Sequence, residues 1–188
     1  NLVERIRCLN DAKISPCSLE YFDRFSLLRL RVNYPNIPER AQAALFFEQE
    51  LPSKDLFDSV LGNWYGFLEE QGTFLDDSWF ANSPKDLETF HQFRHSIPLL
   101  LNEENNRLGR VKIGTDMAVE DAHFIEMMRF YKETLNSSGI DYAAFGHIGD
   151  NHLHINLMPE KEKIEQAHVV YQTLVDQILR WRGTVSAE

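Results

Sequence analysis

Cysteine is nearly absent: the chain of 188 residues has two, Cys8 and Cys17. Two cysteines cannot build a disulfide framework and are not spaced like a zinc knuckle, so a reducing, cytoplasmic setting is expected. Long apolar runs are missing too. No stretch approaches the roughly 20 residues that cross a bilayer, and no charged-then-apolar segment opens the chain, so neither a membrane span nor a signal peptide is expected. Positive charge is scarce, with 19 Lys and Arg against 29 Asp and Glu and a formal net charge of -10. Without clustered basic side chains to neutralise phosphates, nucleic acid is not an expected partner. Repeats, low-complexity stretches and glycine-rich linkers are also lacking, so nothing divides the chain in two. What is present, 43% apolar and 26% charged residues, suits one globular domain with a real core.

Along the chain, Leu2, Ile6 and Leu9 have helical spacing, and Ser15-Pro16 breaks it before a short strand at 18–22. The alternation in 27–33 predicts a half-buried strand, closed by Pro35 and Pro38, with 41–48 as its hairpin partner. A helix is expected over 54–71, capped by Ser53, with Phe57, Val60, Leu61, Trp64 and Leu68 on one face and Gly72 at its end. Ser83-Pro84-Lys85-Asp86 opens another helix, with Leu87, Phe90, Phe93 and Arg94 along one side. Residues 102–110 read as a polar loop, 112–119 as a strand and 119–135 as a third long helix. Strand, turn and strand fill 142–158. A last helix at 162–181 turns Ile164, Ala167, Val170, Leu174, Ile178 and Trp181 inward. The interleaving predicts an α+β fold: a largely antiparallel sheet with helices packed on it, built from ferredoxin-like split βαβ elements. The chain opens inside an apparent helix at Asn1 and stops in the extended stretch before Glu188, so further sequence is expected on both sides.

The residues that carry chemistry lie in Gly146-His147-Ile148-Gly149-Asp150-Asn151-His152-Leu153-His154-Ile155-Asn156. A two-residue turn at Asp150-Asn151 would place His147 opposite His154, on the face shared by His152 and Asn156. Opposed Cβ atoms sit about 4.5 to 5.5 Å apart, close enough for two imidazoles to converge on one ion. Ile148, Leu153, Ile155 and Leu157 take the other face as core. A lone strand histidine is ordinarily a hydrogen-bonded surface group. Three histidines and an asparagine on one face favour a divalent metal, with zinc, manganese and iron(II) suited to nitrogen ligands plus a carboxylate. The carboxylate must come from elsewhere, and Glu188, at the edge of an apolar extended segment, is the candidate. His91 and His95, four residues apart on a helix, lack a third ligand and are not expected to bind metal.

These residues resemble the C-terminal domain of the FAD-linked oxidases, the family of the glycolate oxidase flavoprotein subunit, D-lactate dehydrogenases and D-2-hydroxyglutarate dehydrogenase. Gly146 to Asn156 stand in the place of the family pattern GHxGDGNxHxN, and Gly183-Thr184-Val185-Ser186-Ala187-Glu188 in that of the start of GGxxSxEHGxG. Pro16-Cys17-Ser18-Leu19-Glu20-Tyr21-Phe22-Asp23 resembles the family's P-x-x-L-E-x-x-D stretch. Phe93-Arg94-His95-Ser96-Ile97-Pro98 is similar to its R-x-x-I segment, and Asp116-Met117-Ala118-Val119 to D-x-x-V-P.

The resemblance implies a flavoenzyme that oxidises a 2-hydroxyacid such as glycolate or D-lactate to a 2-oxoacid, with hydride transfer to FAD. It implies that residues 1–188 are a single substrate-side domain, with the FAD-binding domain N-terminal to it and an electron-acceptor subunit as a further partner. His147, His154 and Glu188 fall on the family's metal-ligand positions. Arg94 falls on that of the arginine pairing with the substrate carboxylate, Asn156 on a substrate-side asparagine and Lys112 on a nearby lysine. A proton-accepting histidine would follow Glu188, so the isolated chain is expected to be inactive. Three departures stand out: Asn151-His152 in place of Gly-Asn, which adds a nitrogen donor near the metal, Arg182 in place of a glycine, and Glu120 in place of proline. The alternative from the residues alone is a flavin-independent hydrolase or lyase whose hairpin ion activates water.

Overall fold

The protein is described here from a computed structural model, in which residues 6, 16–73 and 75–186 are described. Of the expected first helix only Ile6 falls among them, helical and buried. Glu188 lies outside the described residues.

Strand β1 (Ser18–Asp23) runs directly into helix α1 (Arg24–Leu30), because Asp23 Oδ1 accepts the Ser26 amide at 2.7 Å and caps the helix. The strand expected over 27–33 is therefore corrected to a helix and the turn after it. Leu27 and Leu30, three apart, are buried, while Leu28 and Val32 point to solvent. Strand β2 (Ala43–Glu48) is present as expected but pairs antiparallel with β1, from Ser18 opposite Glu48 to Asp23 opposite Ala43.

Helix α2 (Phe57–Glu70) follows a short 3-10 turn, and Ser53 hydrogen-bonds Asp55 there instead of capping a backbone amide. Helix α3 (Pro84–Leu108) starts with Ser83 Oγ accepting the Asp86 amide at 3.2 Å. It continues through most of the expected 102–110 loop. Leu101 and Asn105 lie one turn apart on its buried face, and Gly109, at φ 63°, ends it.

Strands β3 (Ile113–Gly114) and β4 (Asp116–Ala118) both pair with β6 (His152–Leu157) in one register. Thr115 between them holds Ile155 through both its amide and its hydroxyl, at 2.9 and 3.0 Å. Helix α4 (Phe124–Ser138), strand β5 (Tyr142–Gly146), helix α5 (Ile164–Arg180) and strand β7 (Thr184–Ser186) complete the order. The sheet runs β2-β1-β5-β6-β4-β7, with β3 also on β6, and its pairings are antiparallel. In β4-α4-β5 and in β6-α5-β7 the helix joins strands separated by one other, so the expected split βαβ units are both present.

Each sheet face has its own core. Met117, Leu153, Ile155 and Leu157 pack with Phe124, Met127, Leu174 and Ile178 of α4 and α5. On the other face α3 lays Phe93, Ile97 and Leu101 over Phe22, Phe46 and Ala143. Sliding β6 by one residue would turn Leu153, Ile155 and Leu157 out of the α4–α5 core, where each contributes up to about 1.5 to 3 kcal/mol of burial, and would turn His152 and His154 into it. The register is thus locked by apolar packing. The histidines are held on the opposite face as a consequence.

Candidate metal centre and substrate cleft

The β5–β6 connection is wider than the expected two-residue turn. Ile148–Asp150 form a 3-10 turn and Asn151 takes a left-handed conformation, φ 55°, with Nδ2 donating to Asp121 Oδ1 at 2.7 Å. The β5–β6 ladder begins at Phe145 opposite His154, so His147 does not face His154 as expected. Instead the His152 amide donates to the His147 carbonyl at 3.1 Å, and those two histidines are neighbours across the connection. The register differs from the expected one by two residues, which preserves which side of the sheet each residue faces. Gly146 makes this approach possible. At φ 143° a Cβ there would come within 2.9 Å of the His152 carbonyl oxygen and 3.1 Å of the His154 ring.

His147, His152 and His154 offer ligand nitrogens that all lie within 4.8 Å of one another. Three imidazoles at that spacing suit a borderline divalent ion, so the donor set fits zinc, and with a carboxylate also iron(II) or manganese. Two acids frame the cluster, and both escaped the sequence reading. Asp116, on β4, contacts His152 Nε2 and lies 3.5 Å from His154 Nδ1. Glu20, on β1, is 4% exposed and places Oε1 2.8 Å from His147 Nδ1 and 2.5 Å from Arg94 Nη2. A carboxylate this buried needs such partners, because leaving it unpaired costs several kcal/mol. Holding one imidazole nitrogen also aims the other outward, the usual role of an acid behind a metal ligand.

Arg94 and His147 both line an open cleft of about 400 Å³, together with Ser18, Glu20, Gly149 and Asp150. Asn156, 6% exposed, lies two residues beyond His154 on the same strand, and its side chain faces Gly114. Lys112 is exposed just ahead of β3. The fold therefore gathers Arg94, His147, His152 and His154 closely, sets Asn156 along the same strand and leaves Lys112 at the sheet's edge. His91 bonds Glu48 at 3.1 Å, and no metal group forms around it among the described residues. Strand β7 ends at Ser186, which pairs with Asp116 at the border of the cluster.

An α+β domain with a histidine hairpin of this kind fits the family that the sequence comparison gives: the chain belongs to the FAD-linked oxidase C-terminal domain family, whose model matches residues 1–188. Among curated proteins it is similar to the mitochondrial D-lactate dehydrogenase [cytochrome] of Kluyveromyces lactis, 28% identical over 74 residues. That match spans 39% of this chain and 13% of the relative. No helix among the described residues is long and apolar enough to cross a membrane.

Proposed function

We propose that this chain forms the substrate and metal-binding side of an FAD-dependent 2-hydroxyacid dehydrogenase or oxidase acting on D-lactate, glycolate or a related acid. The observation that carries the reading is the Glu20 carboxylate, which ties the Arg94 guanidinium and the His147 imidazole together in the lining of one cleft. A cation for a carboxylate and a metal ligand for a hydroxyl are what a 2-hydroxyacid requires side by side. The cleft of about 400 Å³ has room for a small acid, and FAD would be bound by a separate N-terminal domain.

Arg94 holds the substrate carboxylate. Its ion pair with Glu20 engages Nη2, and a guanidinium has five donors, so others remain for a bidentate grip on the ligand. Glu20 fixes the side chains of Arg94 and His147 in one geometry, which orients the acid before reaction. His147 and His154, with Glu188 as the carboxylate, hold the ion. Asn156 hydrogen-bonds the substrate from β6, and Lys112 adds positive charge at the edge. The divalent ion, when bound, supplies Lewis acidity at the 2-hydroxyl. FAD would supply the acceptor for the C2 hydride while the 2-hydroxyl proton passes to a base, and the electrons would go onward to an acceptor protein.

The test is steady-state reduction of an artificial dye by the full-length protein across glycolate, both lactate enantiomers, longer 2-hydroxyacids and hydroxyglutarate. Turnover of at least one is expected. A protein that turns over none of them but hydrolyses an ester or amide would instead be a metal-dependent hydrolase.

A further inference from the structure

We propose that His152 is a third imidazole ligand, so that this chain binds its ion through three nitrogens where the family pattern has two histidines. The proposal rests on the reading of the hairpin as a metal site and deepens it.

Position carries the argument. The His152 ring lies 5.5 Å from His147 and 4.7 Å from His154, centroid to centroid, whereas those two lie 5.7 Å apart. The added residue is therefore the middle of the triad and not a rim substituent. An ion reached by His147 and His154 together lies within reach of His152, because one nitrogen of each is within 4.8 Å of the others. The backbone enforces the arrangement. His152 and His154 are alternate residues of β6 on one face, and the His152 amide to His147 carbonyl bond holds the third ring beside them.

Asp116 is the second observation. It stands on β4 where the ladder sets it across from His154, and it contacts the rings of both His152 and His154. A solvated His–Asp surface pair would account for His152 and Asp116 alone. It would not account for a second imidazole on the same carboxylate oxygen and a third within ligand distance. Carboxylate behind imidazole is the arrangement that orients a ligand and raises its basicity. Three nitrogen donors also move the preference of the site from oxygen-seeking ions such as manganese toward zinc and cobalt(II).

The test loads the full-length protein with one equivalent of zinc and counts imidazoles by X-ray absorption at the zinc edge. Three imidazoles are expected for the wild type and two for His152→Asn, with zinc affinity lowered at least about 10-fold in the variant. Competition with manganese should show the smaller loss for manganese. Circular dichroism checks that the variant is folded, and the wild-type spectrum decides the ligand count without it. Two imidazoles in the wild type, with unchanged zinc affinity in His152→Asn, would overturn the role of His152 and leave the two-histidine site standing. Zinc affinity unchanged in both His147→Ala and His154→Ala would overturn the metal site itself, and this proposal with it.

Discussion

One oxygen of Glu20 serves two partners, lying 2.8 Å from His147 Nδ1 and 2.5 Å from Arg94 Nη2. In Glu20→Gln the oxygen that serves both partners can still accept from them but carries no charge, so the bridge between imidazole and guanidinium is weakened. The expected result in the full-length protein is a fall in kcat/KM for its 2-hydroxyacid of about 10- to 100-fold, with a parallel loss of bound metal. Unchanged metal content and unchanged kinetics would reduce Glu20 to a structural ion pair.

Arg94→Lys keeps the charge and removes the planar fork. Because charge-assisted hydrogen bonds contribute about 1.5 to 3 kcal/mol each, the lysine variant is expected to raise KM by roughly 10- to 100-fold. The effect should be on KM more than on kcat, and steady-state kinetics separates the two.

Much of the fold is legible in the sequence where local rules agree. Ser83-Pro84 caps α3, and Ala167, Val170, Leu174 and Ile178 on α5 are buried at the spacing that predicts them. The rules fail where a side chain outbids periodicity. The alternation of 27–33 looks like a strand, yet Asp23 caps a helix beginning at Arg24. The polar run 102–108 looks like a loop, yet Leu101 and Asn105 keep it helical against the core. Within the candidate site, the histidines are legible because they share a short segment. Glu20 and Asp116 are not, although both sit in segments that resemble the family's motifs, because reaching the histidines depends on pairings of β1 with β5 and β4 with β6 between residues far apart in the chain. The turn is misjudged for a related reason: the connection through Asn151 and Asp121 is a contact 30 residues apart in the chain.

The two positions where glycine is usual in the family pattern, Asn151 and Arg182, are the non-glycine residues with positive φ among those described, at 55° and 57°. Left-handed backbone costs an ordinary L-residue roughly 1 to 2 kcal/mol, against about 0.5 to 1 kcal/mol for the extra chain entropy of glycine. Arg182→Gly is therefore expected to stabilise by about 0.5 to 1 kcal/mol, raising Tm by roughly 1 to 4 °C. Asn151→Gly should not gain, since asparagine tolerates this conformation and its amide holds Asp121. Thermal unfolding of the two variants makes the comparison.

Asp23 caps α1 but is 6% exposed, and Oδ2 is buried outside hydrogen-bond geometry. Burial raises its pKa above the usual carboxylate value, only partly offset by the Ser26 hydrogen bonds. A raised folded-state pKa means that the folded form holds the proton more tightly. The stabilisation this gives is complete below the unfolded value of about 3.9 and is lost as pH rises through the folded value. Asp23→Asn keeps a capping oxygen without the buried charge and is expected to be more stable than wild type at pH 7 by about 1 kcal/mol. The advantage should shrink as pH falls through the folded pKa of Asp23. Urea titrations at several pH values would show the reverse trend if the carboxylate were favourably placed.

The most direct test of a 2-hydroxyacid oxidoreductase is anaerobic mixing of the full-length, oxidised protein with glycolate, D-lactate or hydroxyglutarate while the flavin colour is followed. Bleaching of the bound flavin by at least one of these acids, slowed strongly in His147→Ala and His154→Ala, is the predicted result. A full-length protein that holds no flavin, or whose flavin stays oxidised with every acid, would contradict it.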